Sequence, residues 1–158
     1  MENGTGENII EGLAVTRLRQ VRDDRGSVLH MLRCDAPEFT QFGECYFSEI
    51  LPGGVKAWKR HHAQTQNLAV PVGSVRMVIY DDRAGSPTRG QVTALEMGRP
   101  DEYVRLRIPP GLWYGFQCLG DAPALVVNCA DLPHDPAESE AKSIDDPEMP
   151  SLWRADPP

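Results

Sequence analysis

The sequence predicts an all-β chain folded as one domain, a sandwich or a small barrel, and three observations carry that expectation. The chain has 158 residues, the length of one domain that buries its own core without disulfide or metal staples. Apolar residues make up 41% and charged residues 25%, a globular balance that excludes a disordered or collagen-like chain, while 14 glycines and 14 prolines demand many turns. From Leu13 onward, short runs of Val, Ile, Leu, Phe and Tyr alternate with Gly, Pro and Asp, which is the punctuation of strands and tight turns. No window of helical period with caps at both ends interrupts them, and no solenoid-type repeat is present.

Residues 1–12 open with a polar, glycine-containing stretch and read as a flexible N-terminus. Residues 13–130 form the β-barrel, with strands expected at 12–19, 27–33, 44–51, 55–61, 67–72, 74–81, 91–97, 103–108, 114–119 and 124–130. In 74–81, Val75, Met77 and Ile79 share one face and Arg76, Val78 and Tyr80 the other; in 103–108, Val104, Leu106 and Ile108 oppose Tyr103, Arg105 and Arg107. Residues 131–158 change texture: six prolines and mostly acidic or small residues exclude a sheet interior or a good helix, yet Ile144, Met149, Leu152 and Trp153 are apolar enough to dock. This acidic, proline-rich segment is either an extended tail packed on the barrel or partly disordered.

Charge is equally uneven. The formal net charge is −7, of which −6 falls in residues 131–158. An acidic chain argues against nucleic acid and anionic membranes as partners, but the near-neutral body leaves room for a small phosphorylated ligand. Cys34, Cys45, Cys118 and Cys129 form no C-x-x-C pair and lie in or beside apolar runs, so they read as reduced core thiols. No signal segment or transmembrane-length run is apparent, and a cytoplasmic location is expected.

The stretch from Gly53 to Gly73 has a specific spacing. It resembles the first cupin motif, G-x5-H-x-H-x4-E-x6-G: Gly53 and Gly73 fit the glycines, Lys59 and His61 the two histidines, and Gln66 the glutamate. Downstream, Pro109-Pro-Gly-Leu-Trp-Tyr114 fits the core of the second motif, with Tyr114 in its histidine position and the expected upstream glycine replaced by Tyr103. The resemblance implies a single cupin-type double-stranded β-helix, a jelly-roll barrel. Residues two apart on a strand share a face, so Lys59 and His61 project together inward while Arg60 and His62 point outward. Gly73 permits a tight hairpin, and Pro109 with Gly111 bends the chain to deliver Tyr114 to the same interior. Metal cupins carry three histidines and a glutamate at these four positions; a lysine repels a cation and an amide replaces a carboxylate poorly, so neither a metal nor another cofactor is expected.

A metal-free cupin with a basic pocket narrows the kinship. From about Leu13 to Trp153 the sequence resembles the dTDP-4-dehydrorhamnose 3,5-epimerase family and its shorter nucleotide-sugar relatives. The carrying segments are Asp24-Arg-Gly26, Gly54-Val55, Val72-Gly-Ser-Val75, Tyr80-Asp-Asp-Arg83, Ser86-Pro-Thr-Arg-Gly90, Ile108-Pro-Pro-Gly111, Gly115-Phe116 and Asp145-Asp-Pro147 leading to Trp153, in that shared order. The resemblance implies a homodimer that enolises a 4-keto-6-deoxy nucleotide sugar, with a base, a stabiliser of the enolate oxygen and an acid. It places Arg25 and Lys56 where the family has phosphate-binding arginines.

The same resemblance exposes departures. Lys59 stands at the catalytic-histidine position, Gln66 at a lysine position and His134 near the acid tyrosine, and the late segment that supplies the histidine's aspartate is missing. By residue type, His61 is a general base or a hydrogen-bonded core histidine, Lys59 a base, an oxyanion stabiliser or a strand-end lysine, and Tyr114 an acid, a donor or a packing residue. Lys56, Lys59, Arg60 and His61 concentrate positive charge at one pocket. Trp58 and Trp113 either stack on the ligand or belong to the core; Tyr46 and Ser48 line the pocket mouth; Arg76, Arg105 and Arg107 face the pocket, a partner or solvent. The leading expectation is an epimerase-type isomerase, with His61, Lys59 and Tyr114 catalytic. A 3,4-ketoisomerase fits too, and the competitors are a non-catalytic cupin that binds a sugar nucleotide or small anion, and a repurposed cupin acting on a natural-product intermediate.

Overall fold

The computed structural model describes residues 9–154. Twelve strands follow in order: β1 (Ala14–Arg17), β2 (Gln20–Asp23), β3 (Gly26–Leu29), β4 (Glu44–Ile50), β5 (Val55–His61), β6 (Gln66–Val72), β7 (Ser74–Tyr80), β8 (Val92–Gly98), β9 (Val104–Ile108), β10 (Trp113–Leu119), β11 (Ala124–Ala130) and β12 (Ser139–Ala141), with a 3-10 turn at Pro136–Glu138. They form two five-stranded antiparallel sheets, β1-β9-β6-β11-β4 and β12-β5-β10-β7-β8, and a separate β2-β3 hairpin. The result is the jelly roll that the motif spacing implied. Among the described residues, no helix is long and apolar enough to cross a membrane.

The main core lies between the sheets. Val75, Met77, Ile79, Val104, Leu106 and Ile108 all belong to it, so the alternation read from β7 and β9 names the inward faces correctly. Two smaller clusters flank it. Leu18, Ala69, Tyr103 and Val127 pack on the outer face of the first sheet, and Trp58, Val78, Trp113 and Met149 on the outer face of the second.

Three local readings need correction. The expected strand at 12–19 is interrupted and followed by a hairpin, β2-β3, because Asp23 to Gly26 forms a reversing turn. Ile10 is buried in the main core, so order begins within the first twelve residues; residues 1–8 lie outside the described residues. Only Cys118 is a core thiol. Cys34 and Cys45 are exposed and Cys129 is half-buried, because Cys45 and Cys129 alternate outward from β4 and β11, where they face each other. Their sulfurs lie 3.4 Å apart, and burial, followed by the contact with Cys45, pushes the Cys129 thiol up to about 12.

The acidic segment is ordered as an edge element. β12 pairs antiparallel with β5, setting Ser139, Glu140 and Ala141 opposite His61, Arg60 and Lys59. Beyond it, the Trp153 ring packs 5.2 Å from that of Trp58, and the Gln117 amide exchanges two hydrogen bonds with the backbone of Arg154.

Candidate active site

A cavity of about 400 Å³ lies between the sheets. The first sheet contributes Tyr46, Ser48, Leu68, Val126 and Asn128 to its wall; the second contributes residues 56–59 of β5, Tyr114 and Phe116 of β10, and Ala141 of β12. The wall is therefore apolar at Leu68, Phe116 and Val126 and carries two amines, two phenols, a hydroxyl and an amide.

Strand β5 supplies both amines by an irregularity. Lys59 pairs with Tyr114 and Lys56 with Phe116, so Gly115 alone faces Ala57 and Trp58 across a bulge. The extra residue returns Lys56 to the cavity face, three positions from Lys59, where strict alternation would turn it away. Gly115 is required there: a β-carbon on it would lie 2.5 Å from that of Ala57. Lys56 Nζ donates to Ser48 Oγ at 2.8 Å and to the Glu49 carbonyl at 2.6 Å. Among the described residues Lys59 has no carboxylate in ion-pair reach, and its side chain borders the open cavity.

His61 is 4% exposed and sits one layer behind the wall. Its Nδ1 meets Glu138 Oε1 in a short hydrogen bond, and its Nε2 lies 3.4 Å from the Tyr114 hydroxyl, which is on the wall. The two rings are nearly parallel, at 18°. Glu138 Oε2 accepts from the backbone amides of Ala63 at 3.0 Å and Gln64 at 3.1 Å. Burial works against this carboxylate, but the bonds from His61, Ala63 and Gln64 outweigh it and hold Glu138 below its ordinary range. Burial is the largest influence on His61 and lowers it; Glu138 opposes this, Lys59 and His134 lower it further, and the net direction is downward, which favours the neutral imidazole. Burial pushes the Tyr114 phenol far above its usual range, with Tyr46 and Glu138 adding to the effect; it stays protonated. Carboxylate, imidazole and phenol thus form a chain that ends at the cavity beside Lys59.

Opposite this chain, Asn128 organises the other wall. Its Oδ1 accepts from the Asn67 amide at 3.2 Å, while its Nδ2 donates to the Tyr46 hydroxyl at 2.9 Å and to Gln66 Oε1. Gln66 Nε2 in turn donates to Gln64 Oε1 at 2.7 Å, and Gln64 Nε2 to the Leu132 carbonyl at 2.5 Å.

Of the sequence-predicted site residues, Lys59, Lys56, Tyr114, Tyr46 and Ser48 meet at the cavity, with His61 directly behind. The others do not. Arg60 alternates to the outer face, paired with Asp82 at 2.9 Å and with Glu140, its guanidinium 4.5 Å above the Trp113 ring. Trp58 borders the cavity, but its ring is buried against Trp153 and Met149 and is not free to stack on a ligand. Trp113 is also occupied, its Nε1 donating to Asp82 at 3.0 Å. Arg76 faces outward and donates to the Leu152 carbonyl at 2.9 Å. Arg25 is 86% exposed at the hairpin turn and ion-pairs with Asp23, so within one chain it does not reach the cavity. Gln66 is buried with both ends of its amide engaged, and acts on the wall only through Asn128. Arg105 lies on the outer face, bonded to Glu38 and the Met31 carbonyl.

Two residues were missed. Glu138 supplies His61 with a carboxylate partner; 77 positions separate them, and no local signal announces the pairing. Asn128 was findable, as the polar residue in the inward alternation Val126, Asn128, Ala130.

A jelly roll whose inter-sheet cavity is lined by two phenols and two amines, with a carboxylate-backed imidazole directly behind, has a cupin-like fold with groups suited to acid–base chemistry. The dTDP-4-dehydrorhamnose 3,5-epimerase family matches residues 7–157, and the chain belongs to it. It is similar to a dTDP sugar isomerase from Desulfovibrio desulfuricans G20 of known crystal structure, at 55% identity and a TM-score of 0.89, covering 91% of this chain and 92% of that one. A probable low-salt glycan biosynthesis epimerase of Haloferax volcanii is 36% identical over 121 residues, 75% of this chain and 77% of that protein. The spore coat polysaccharide biosynthesis protein SpsL of Bacillus subtilis is 31% identical over 136 residues, 86% of this chain and 89% of that protein. Family membership favours the isomerase-type enzyme over the binding module.

Proposed function

We propose that the protein epimerises a nucleotide-linked 4-keto-6-deoxy sugar through an enolate formed beside the keto group. The observation that carries this reading is the Glu138–His61–Tyr114 chain reaching the cavity wall beside Lys59, the register partner of Tyr114 on the neighbouring strand. A proton on the carbon next to the carbonyl passes to the Tyr114 oxygen as the phenol's own proton moves to His61 Nε2, so the buried phenol never carries a full charge. Glu138 stabilises the imidazolium that results. The Lys59 ammonium supports the negative charge that develops on the keto oxygen, and Lys56, held beside Ser48, serves the diphosphate. Leu68, Phe116 and Val126 give the sugar an apolar surface.

The same reading includes a cytoplasmic homodimer. The four thiols support the location, and the exposed Phe42, Phe47 and Leu51, in and beside edge strand β4, support a second copy.

The test is incubation with dTDP-4-keto-6-deoxyglucose in deuterated water, followed by NMR. Deuterium at C3, C5 or both, with an inverted product, is the expected result. Binding without incorporation refutes the reading, and a product with its keto group at C3 identifies a ketoisomerase instead.

A further inference from the structure

Inverting a carbon centre requires proton transfer on both faces of the enolate plane, one group removing the proton and another returning it from the opposite side. Tyr114, His61 and Lys59 all belong to the second sheet. Tyr114 and Lys59 are paired residues on neighbouring strands, and the Tyr114 hydroxyl is in contact with His61. A sugar lying between the sheets presents one face to this group, so the second proton must come from the first sheet.

That sheet places one hydroxyl of phenolic acidity on the cavity wall. We propose that Tyr46 is the proton donor on the face opposite Tyr114. The assignment rests on the epimerase reading above. Its basis is the hydrogen-bond chain behind the residue. The Asn67 amide fixes Asn128 Oδ1, which orients Nδ2 toward the Tyr46 oxygen at 2.9 Å; that oxygen is an acceptor there, so its own O–H is left to point elsewhere. Gln66 and Gln64 continue the chain to the Leu132 carbonyl, which makes the orientation a property of the backbone. Ser48, the other hydroxyl on this wall, also accepts a bond, from Lys56, but it is an alcohol and lacks the acidity of a phenol. Burial raises the Tyr46 phenol, with Glu44 adding to the rise against the lowering effect of Asn128, so it holds its proton across the neutral range.

The proton balance closes without a co-reactant. The carbon–hydrogen bond breaks on the Tyr114 side, its electron pair forms the enolate double bond, and the carbonyl π pair moves to oxygen. The Tyr46 O–H bond then breaks, a carbon–hydrogen bond forms on the other face and the carbonyl returns. Tyr46, 37% exposed at the cavity mouth, regains a proton from water, and His61 releases one.

The experiment compares wild type, Tyr46→Phe and Tyr114→Phe on dTDP-4-keto-6-deoxyglucose in deuterated water, with thermal unfolding and substrate affinity measured on each. In Tyr46→Phe, deuterium should still enter with retained configuration at a rate within about threefold of wild type, while the inverted product falls at least ~100-fold. Tyr114→Phe should lose both exchange and inversion. An inversion rate in Tyr46→Phe within threefold of wild type overturns the assignment and leaves the epimerase reading intact. Loss of both exchange and inversion in Tyr46→Phe, with folding and affinity kept, overturns it as well. A wild type that binds but neither exchanges nor inverts refutes the epimerase reading itself.

Discussion

Replacing Glu138 with glutamine tests whether the histidine is set up as a base. The carboxylate serves three donors at once: His61 Nδ1 on one oxygen, and the Ala63 and Gln64 amides on the other, at 3.0 and 3.1 Å. A glutamine has one oxygen for these two positions. If its oxygen stays with His61, its NH₂ opposes two backbone donors, each left unpaired at a cost of ~1–3 kcal/mol. If the oxygen turns to the two amides, the NH₂ must donate to Nδ1, and the imidazole proton moves to Nε2. The second arrangement is the cheaper one, and it removes the lone pair that faces Tyr114. Losing one charge-assisted bond of ~1.5–3 kcal/mol corresponds to a fall of about 10- to 150-fold in kcat. KM should change little, because Glu138 is not on the cavity wall. Steady-state epimerisation gives the rate, and nitrogen-15 NMR of the imidazole gives the tautomer. A kcat within twofold of wild type, with the proton still on Nδ1, would refute the reasoning.

Three further outcomes follow from the same geometry. Lys59→Met should lower kcat by about 100-fold or more while leaving the fold intact, since it removes charge support for the enolate and little else; rates and thermal unfolding measured together check this. In wild type, kcat/KM should fall as pH drops through a midpoint below the usual histidine value, because His61 must be neutral to accept a proton and burial lowers it. In Glu138→Gln the midpoint should move lower still, because the carboxylate opposes that lowering; a pH-rate series decides it. Asn128→Ala should destabilise the protein by ~1–3 kcal/mol by leaving Gln66 Oε1 and the Asn67 amide without partners, and it should reduce inversion more than exchange, as denaturant titration and the deuterium assay would report.

Alternation and punctuation placed the strands well because strand geometry is local: β5 and β11 occupy the expected 55–61 and 124–130. The inward pairing of Lys59 with His61 followed from the same rule. Where the rule failed, a non-local contact intervened. The bulge opposite Gly115 turned Lys56 inward, and nothing in residues 55–59 specifies it without β10 beside them. Charge counting drew Arg60 to the pocket, but its partners Asp82 and Glu140 are distant in sequence and lie on the other side of the strand. Glu138 was hidden because a proline-rich acidic stretch has the composition of a loose tail, while its edge pairing with β5 is a tertiary event.

That pairing also orders events in time. His61 leaves the ribosome 77 residues before Glu138, so a nascent chain carries its histidine and lysine without the carboxylate that holds the imidazole. Proton-transfer competence should arrive late in synthesis, with docking of Pro136–Ala141 against β5, and a chain arrested before that point should hold a barrel sequence without its function. Among the described residues, the last segment with regular structure to be made, Pro136–Ala141, is therefore the one that completes the proposed proton path.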